Sequence, residues 1–305
     1  MQQLRHISRM EVNTDQWNDC IRQAPNGLIY AYSWYLDAMA DNWDALVLND
    51  YEAVMPLPWK QKWGIAYLYQ PWFCASLGVF ARCGMDAALL SSFLQQIPAR
   101  FRYMDIYLNQ QNLFAVEGFP LTQRVNYILS LQPAYDDLRA MFRDNLKRNI
   151  RKAESAGLYP DFSCSLDEIL RLSTPTLQQL SDITIGEIDR FREVFAKATS
   201  LEQAMAAGIR STQGELLASA VFLYSHHRWY YIVVGNHPNG KTNGASHYLI
   251  DRFIARQAGT GTWLDFEGSD IRNLAFFYSS FGATEERYAA LRMNRLPALL
   301  RWLKE

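Results

Sequence analysis

The stretch ELLASAVFLYSHHRWYYIVVGNHPNGKTNGASHYLIDRFIARQAGTGTWLDFEGS, residues 215–269, decides the fold. Two apolar runs, 215–224 and 229–235, flank the polar segment 225–228 and predict a β-hairpin. Residues 245–258 follow with apolar side chains at helical spacing, and 262–266 form a short strand. The same order occurs earlier in the chain. Runs 51–58 and 65–70 surround Lys60-Gln61-Lys62-Trp63-Gly64, 85–97 predict a helix, and 103–108 a strand. From Tyr51 to Tyr103 is 52 residues, and from Glu215 to Thr262 is 47.

The texture beyond each copy repeats as well. Asp105, Asn112, Gly118 and a strand at 124–131 are matched in order by Asp265, Asn273, Gly282 and a strand at 287–293. The chain therefore predicts a duplicated, mixed α/β (α+β) protein. The expected units are 1–133 and 134–305, each a mixed, mostly antiparallel sheet flanked by helices, packed as a tandem pair. Between the copies, 135–156 and 166–207 carry helix formers, with breaks at Gly157, Pro160, Pro175 and Gly186.

Composition narrows the function classes. The 305 residues are 49% hydrophobic and 20% charged, ordinary for a globular protein, with a net charge of −1. Near-neutrality removes a global basic field, so DNA is not an expected partner. Cys20, Cys74, Cys83 and Cys164 form no Cys-x-x-Cys pair and read as free thiols in a reducing compartment. No apolar run has signal-peptide or membrane-span length, so a cytoplasmic protein with no transmembrane segment is expected.

Residues 138–153 are the sharpest local pattern. On a helical wheel with Arg143 at zero, Lys147, Arg151, Arg148 and Lys152 fall between about 40° and 180°. Phe142, Leu146, Ile150 and Ala153 fall on the opposite side. The cations suit either a solvated face or a ridge for an anionic ligand, with Lys147, Arg148 and Arg151 as its contacts.

The segment His237–Ser246 joins a strand to a helix. Its glycines and the free N–H groups of a helix start suit an anion, which makes Asn239, Lys241, Asn243, Gly244, Ala245 and Ser246 candidate contacts. Residues 235–242 also spell G-x-x-x-x-G-K-[ST]. Against a true phosphate loop, the preceding strand belongs to a hairpin and Pro238 has no N–H. A plain strand-to-helix connection is the simpler alternative.

Asp265, Glu267 and Asp270 lie at a strand end, where carboxylates serve as a general base or as a helix cap. Ser269 or Asp270 is the expected cap, and Glu267 is the freest for chemistry. His237 and His247 flank the loop without a third ligand, so no metal is expected.

Three segments together resemble the Fem-type transferases. These are FRDNLKRNIRKAESAGL at 142–158, LDFEGS at 264–269 and FYSSFG at 277–282. The duplicated order is similar to that family's tandem pair of GNAT (acyl-CoA N-acyltransferase) folds. The resemblance implies transfer of an acyl or aminoacyl group to an amine on a small molecule or cell-wall precursor. It implies acyl-CoA as co-substrate, held at 239–246, with no tightly bound cofactor. Aminoacyl-tRNA is the alternative donor. Two departures matter: the usual Gln/Arg-x-x-Gly-x-Gly/Ala loop is absent, and Tyr278 stands where the cross-bridge enzymes carry Lys. The second makes tRNA the less favoured donor.

The expected catalytic groups are Glu267 or Asp265 as base and Tyr278 as hydrogen-bond donor. A non-catalytic binding module on the same fold is the remaining alternative.

Overall fold

The computed structural model describes residues 3–268 and 270–297, apart from the side chains of Leu180, Lys241 and Thr242. In chain order the elements are β1 (Leu4–Ser8), α1 (Thr14–Gln23), α2 (Ser33–Met39), β2 (Asn42–Leu48), β3 (Ala53–Lys62), β4 (Ile65–Tyr69), β5 (Phe80–Ala81), α3 (Ala87–Gln95) and β6 (Phe101–Leu108). They continue with β7 (Leu121–Ser130), α4 (Tyr135–Ala140), α5 (Asp144–Ser155), β8 (Tyr159–Asp161), α6 (Leu166–Leu180), α7 (Ile185–Ser200), β9 (Ala204–Arg210) and β10 (Leu216–Ser225). The last are β11 (Arg228–Asn236), α8 (Pro238–Asn243), α9 (Ala245–Gln257), β12 (Trp263–Asp265), α10 (Arg272–Ser279) and β13 (Thr284–Asn294).

Both predicted hairpin–helix–strand copies are present: β3, β4, α3, β6 and β10, β11, α9, β12. The chain divides into two compact units, Met1–Arg124 with Arg287–Glu305, and Val125–Glu286. This differs from the division at 133 read from the sequence. The cause is β13, whose residues 289–294 pair antiparallel with 103–108 of β6 and so belong to the first unit's sheet. A strand that returns from the far end of the chain leaves no local sequence signal.

In the first unit the strand order is β1-β2-β3-β4-β6-β13, antiparallel except for β4 beside β6. Leu46, Met55, Leu57, Met104, Ile106 and Leu291 alternate inward and pack with Leu90, Phe93 and Leu94 of α3.

In the second unit the order is β7-β12-β11-β10-β9-β8, antiparallel except for β11 beside β12. Phe222 stacks on Phe253 of α9 with ring centres 3.7 Å apart. Residues 144–155 form an amphipathic helix, as their spacing predicts. Leu146, Ile150 and Ala153 are fully buried on α5, which packs on the same core as α9. Helix does not extend over all of 166–207. Ser165 with Glu168 and Thr184 with Glu187 form capping boxes that start α6 and α7, but the helix ends at Ser200. Residues 204–210 are strand β9, with Ala207 opposite Ala220. Ala-rich residues favour helix, yet here pairing with a central strand overrides propensity. Pro175 lies inside α6 rather than ending it.

The connection between α8 and α9 is the tightest point near the site. Gly244 has φ +74°, and a Cβ there would lie 2.4 Å from the Asn149 carbonyl oxygen of α5. Gly259 has a similar φ of +77° with open space around it. Gly259→Ala should therefore show the backbone penalty alone, about 1–2 kcal/mol. Gly244→Ala must also push α5 away, so its loss should exceed that of Gly259→Ala by at least about 1 kcal/mol. Urea denaturation of the two variants checks this; equal losses would contradict the close packing.

Candidate active site

Strands β11 and β12 run together for only three residue pairs, Arg228 with Trp263, Trp229 with Leu264 and Tyr230 with Asp265. Beyond Tyr230, β11 continues to Asn236 while β12 ends, so the strands part. Past the parting point β11 bulges. Val233 is skipped between the pairs Val221–Ile232 and Ala220–Val234, and its φ is +49°. A β-branched residue in that region is strained, and such strain gathers at ligand sites.

The first unit has a similar parallel pair, but its parting point is filled by its own chain. The Gln70 carboxamide accepts from the Tyr107 N–H at 3.0 Å, and the Leu77 N–H donates to the Tyr107 carbonyl at 2.8 Å. The fork of the second unit therefore stands out.

The turn that closes the fork is held by a buried polar lock. Asp265 Oδ1 accepts from the Glu267 N–H and from Asn126 Nδ2, both at 2.8 Å. Asn126 Oδ1 accepts from the Gly268 N–H at 2.5 Å and the Tyr127 N–H at 2.7 Å. Arg228 bonds Asp265 Oδ2 at 2.8 Å and spans both oxygens of Glu286 at 2.9 and 2.8 Å. Burial pushes the Asp265 carboxyl up, against the pull of Arg228. Burial also works against the Arg228 charge, but Asp265 and Glu286 outweigh it and hold the guanidinium well above its ordinary range.

Asp265 is thus buried with both oxygens engaged, which corrects its reading as a proton acceptor. Its place is to shape the turn. The result of that shape is Glu267, a half-buried side chain on a backbone with φ +66°.

Aromatic rings wall the fork. Tyr278 of α10 stacks on Phe266 at 4.6 Å, and Tyr231 of β11 meets the same ring edge-on at 6.1 Å. Burial raises the pKa of both phenols, with a neighbouring charge on Glu267 adding to the rise at Tyr278. Both are therefore protonated donors at neutral pH. Among the described residues neither hydroxyl has a hydrogen-bond partner. Tyr231 escaped the sequence reading. It lies in an apolar run beside Tyr230, whose hydroxyl instead meets Ser225 at 3.4 Å, and nothing in the run distinguishes the two.

The segments that carry the Fem resemblance meet here. Phe142 packs edge-on against Phe281 at 5.5 Å, the Arg143 N–H donates to the Ser280 carbonyl at 3.0 Å, and the Arg143 guanidinium lies 5.1 Å from the Phe276 ring centre. Lys147 is half-buried and bonds the Ala140 carbonyl at 3.1 Å. Arg148 and Arg151 are exposed, and no carboxylate among the described residues pairs with them.

The segment 239–246 is not an open loop. Asn239, Lys241 and Asn243 lie on α8, with Pro238 at its first turn and the His237 ring accepting from the Asn239 N–H at 3.2 Å. The Lys241 side chain lies outside the described residues. Gly244 packs on Asn149, Ala245 is fully buried, and the Ser246 hydroxyl bonds Asn236 at 2.5 Å. Pro at the first helical position favours a helix. Nor is the expected cap at 269–270 seen. The N-cap of α10 is Ile271, Asp270 accepts from the Val125 N–H at 3.4 Å, and Ser269 lies outside the described residues. His237 and His247 do not converge: His237 lies 3.4 Å from Glu215, whereas His247 packs on Phe277 at 4.8 Å. Among the described residues no group of three or more His, Cys, Asp or Glu could hold a metal, and no helix is long and apolar enough to cross a membrane.

No protein-family model matches the chain, and no curated protein matches its sequence. Solved structures do match its fold. FemX superposes with a TM-score of 0.68 at 13% identity, covering 97% of this chain and 99% of its own. The C-terminal domain of a candidate lysylphosphatidylglycerol synthetase from Agrobacterium fabrum gives 0.56 at 11% identity, over 95% and 94%. A tandem GNAT protein from the clavulanic acid biosynthesis pathway gives 0.53 at 10% identity, over 97% and 100%. The chain thus has the tandem GNAT, Fem-like fold.

Burial lowers the His247 pKa from 6.5 to about 4, which gives a test of the packing beside the site. Above pH 6.5 the ring is neutral folded and unfolded. Between 6.5 and about 4 only the unfolded chain takes the proton, so stability falls with acid through that window and levels off below it. The loss should reach up to about 3 kcal/mol. His247→Gln should remove this component, read as the difference in urea midpoint between pH 7 and pH 4.5. An unchanged pH dependence would show that His247 is not desolvated.

Proposed function

We propose that the second unit transfers an acyl or aminoacyl group to an amine at the β11–β12 fork. One observation supports this: the Glu267 charge acts on the buried Tyr278 phenol, and Tyr278 and Tyr231 pack on the same Phe266 ring beside the turn that the lock holds. The shared fold with FemX and the tandem GNAT protein supports the same class, although fold alone does not set chemistry.

In this scheme the acceptor amine attacks the carbonyl carbon of a thioester or ester. The carbonyl π electrons move to oxygen, where Tyr231 and Tyr278 donate hydrogen bonds to the developing charge. Glu267 takes the proton that the nitrogen must lose, directly or through one water. Collapse of the intermediate breaks the bond to sulfur or oxygen, and the leaving group recovers a proton from Glu267. Positioning supplies much of the remaining acceleration. Lys147, Arg148 and Arg151 face an anionic part of donor or acceptor.

Acyl-CoA is the donor we favour, acting in the cytoplasm on a small-molecule or cell-wall-precursor amine. Of the positions 239–246, Gly244 and Ala245 are buried, so Asn239, Asn243 and Ser246 are the ones that would meet it. Aminoacyl-tRNA is the second reading, favoured by the exposed Arg148 and Arg151; sensitivity of transfer to ribonuclease separates the two.

Transfer of radiolabelled acetyl from acetyl-CoA to a panel of amines tests the scheme. Glu267→Gln should lower the rate about 10²–10⁴-fold. Tyr278→Phe and Tyr231→Phe should each lower it by up to about 10²-fold, with circular dichroism unchanged. Full activity in Glu267→Gln would remove the carboxylate from the scheme.

A further inference from the structure

The corner where α5 begins and α10 lies has a property that transfer chemistry does not require. Two large apolar side chains are exposed here, Met141 at 51% and Phe276 at 54%, whereas Ile271 and Leu274, exposed as well, stand roughly 140–160° from Phe276 around α10. Met141 lies against Gly282 just beyond α10, since its Cβ would be 3.2 Å from a Cβ there. Arg143 sits over Phe276 and joins this apolar group to the cationic face of α5. Arg148, Arg151 and Lys152 then continue along the helix, all exposed. Asp144 and Glu154 are the acidic residues of α5, against five cations counting Arg143.

Cations alone would suit any anion, and a charged helix face is commonly just solvated. Exposed methionine and phenylalanine beside them change the balance. Aliphatic side chains gain little from stacking on bases, but they do gain from leaving water for an acyl-chain boundary. Basic side chains at the rim of such a group meet lipid phosphates.

We infer that this corner docks on an anionic phospholipid bilayer, with Met141 and Phe276 entering the interface and Arg143, Arg148, Arg151 and Lys152 meeting headgroups. The anion facing α5 is then lipid phosphate rather than phosphate of the donor. The inference reassigns Arg148 and Arg151 from donor or acceptor to lipid phosphate and leaves the steps at the fork unchanged. It places the fork close to a membrane surface.

Vesicle sedimentation of the full chain tests it. The probes are phosphatidylcholine vesicles with and without about 30% phosphatidylglycerol, at low and high salt. Binding to the anionic vesicles is expected, with loss at about 0.5 M salt as the surface charge is screened. Each basic side chain strengthens such binding roughly fivefold. Arg148→Glu with Arg151→Glu should therefore weaken it by on the order of twentyfold or more. Met141→Ser with Phe276→Ser should weaken it separately, and thermal melts confirm that both double variants fold. The inference is overturned by no binding to anionic vesicles, by equal binding of the charge-reversed variant, or by binding that ignores Met141 and Phe276. Binding of a tRNA mixture with no vesicle binding would reassign the ridge to RNA. Because the vesicles carry no acyl donor, none of these outcomes depends on whether the transferase proposal is right.

Discussion

The buried carboxylate of Asp265 is the interaction on which the second unit turns. It sits where β12 ends and accepts from a strand neighbour, Asn126, from the next turn, Glu267 N–H, and from the guanidinium of Arg228. An ion pair this far from water is a poor source of net stability, because desolvation offsets most of the Coulomb attraction. Its removal, however, would leave an unpaired charge and an open turn. The lock is therefore better understood as a device of geometry. It holds a glutamate in a backbone conformation that a free chain would rarely visit.

From that constraint the rest of the site follows in order. The short pairing of β11 with β12 leaves a strand edge open, and the Val233 bulge bends it. Phe266, one residue past the lock, gives Tyr278 and Tyr231 a common ring to pack on. Phe281 ties α10 to Phe142 and hence to α5. The first unit has the same element order but fills its matching fork with Gln70 and the strand edge around Leu77. Two copies of one design thus differ at the place where a ligand would enter.

Much of this architecture was legible in the residues, because duplicated order survives when individual positions drift. The apolar face of α5 was legible for the usual reason, a 3.6-residue period against a core. What was hidden were contacts between residues far apart in the chain. Asn126 and Gly268 are bonded across a long separation, and Arg228 reads in sequence as the last residue of a polar turn. Asp265 and Glu267 look alike as neighbouring acids, and only burial separates the one that shapes the turn from the one left half-buried. Residues 238–243 read as a strand-to-helix connection because glycine and asparagine dominate, whereas with Pro238 at the first turn they form a helix. Residues 204–210 look helical until a strand partner is supplied.

The claim at the centre is that the fork of the second unit receives the carbonyl of an acyl donor. An experimental structure with a non-hydrolysable acyl-CoA analogue measures this most directly. The account predicts density between β11 and the Phe266–Glu267 turn, with the carbonyl oxygen within hydrogen-bond distance of Tyr231 or Tyr278. An analogue bound elsewhere, with the two phenols still buried and partnerless, would contradict it.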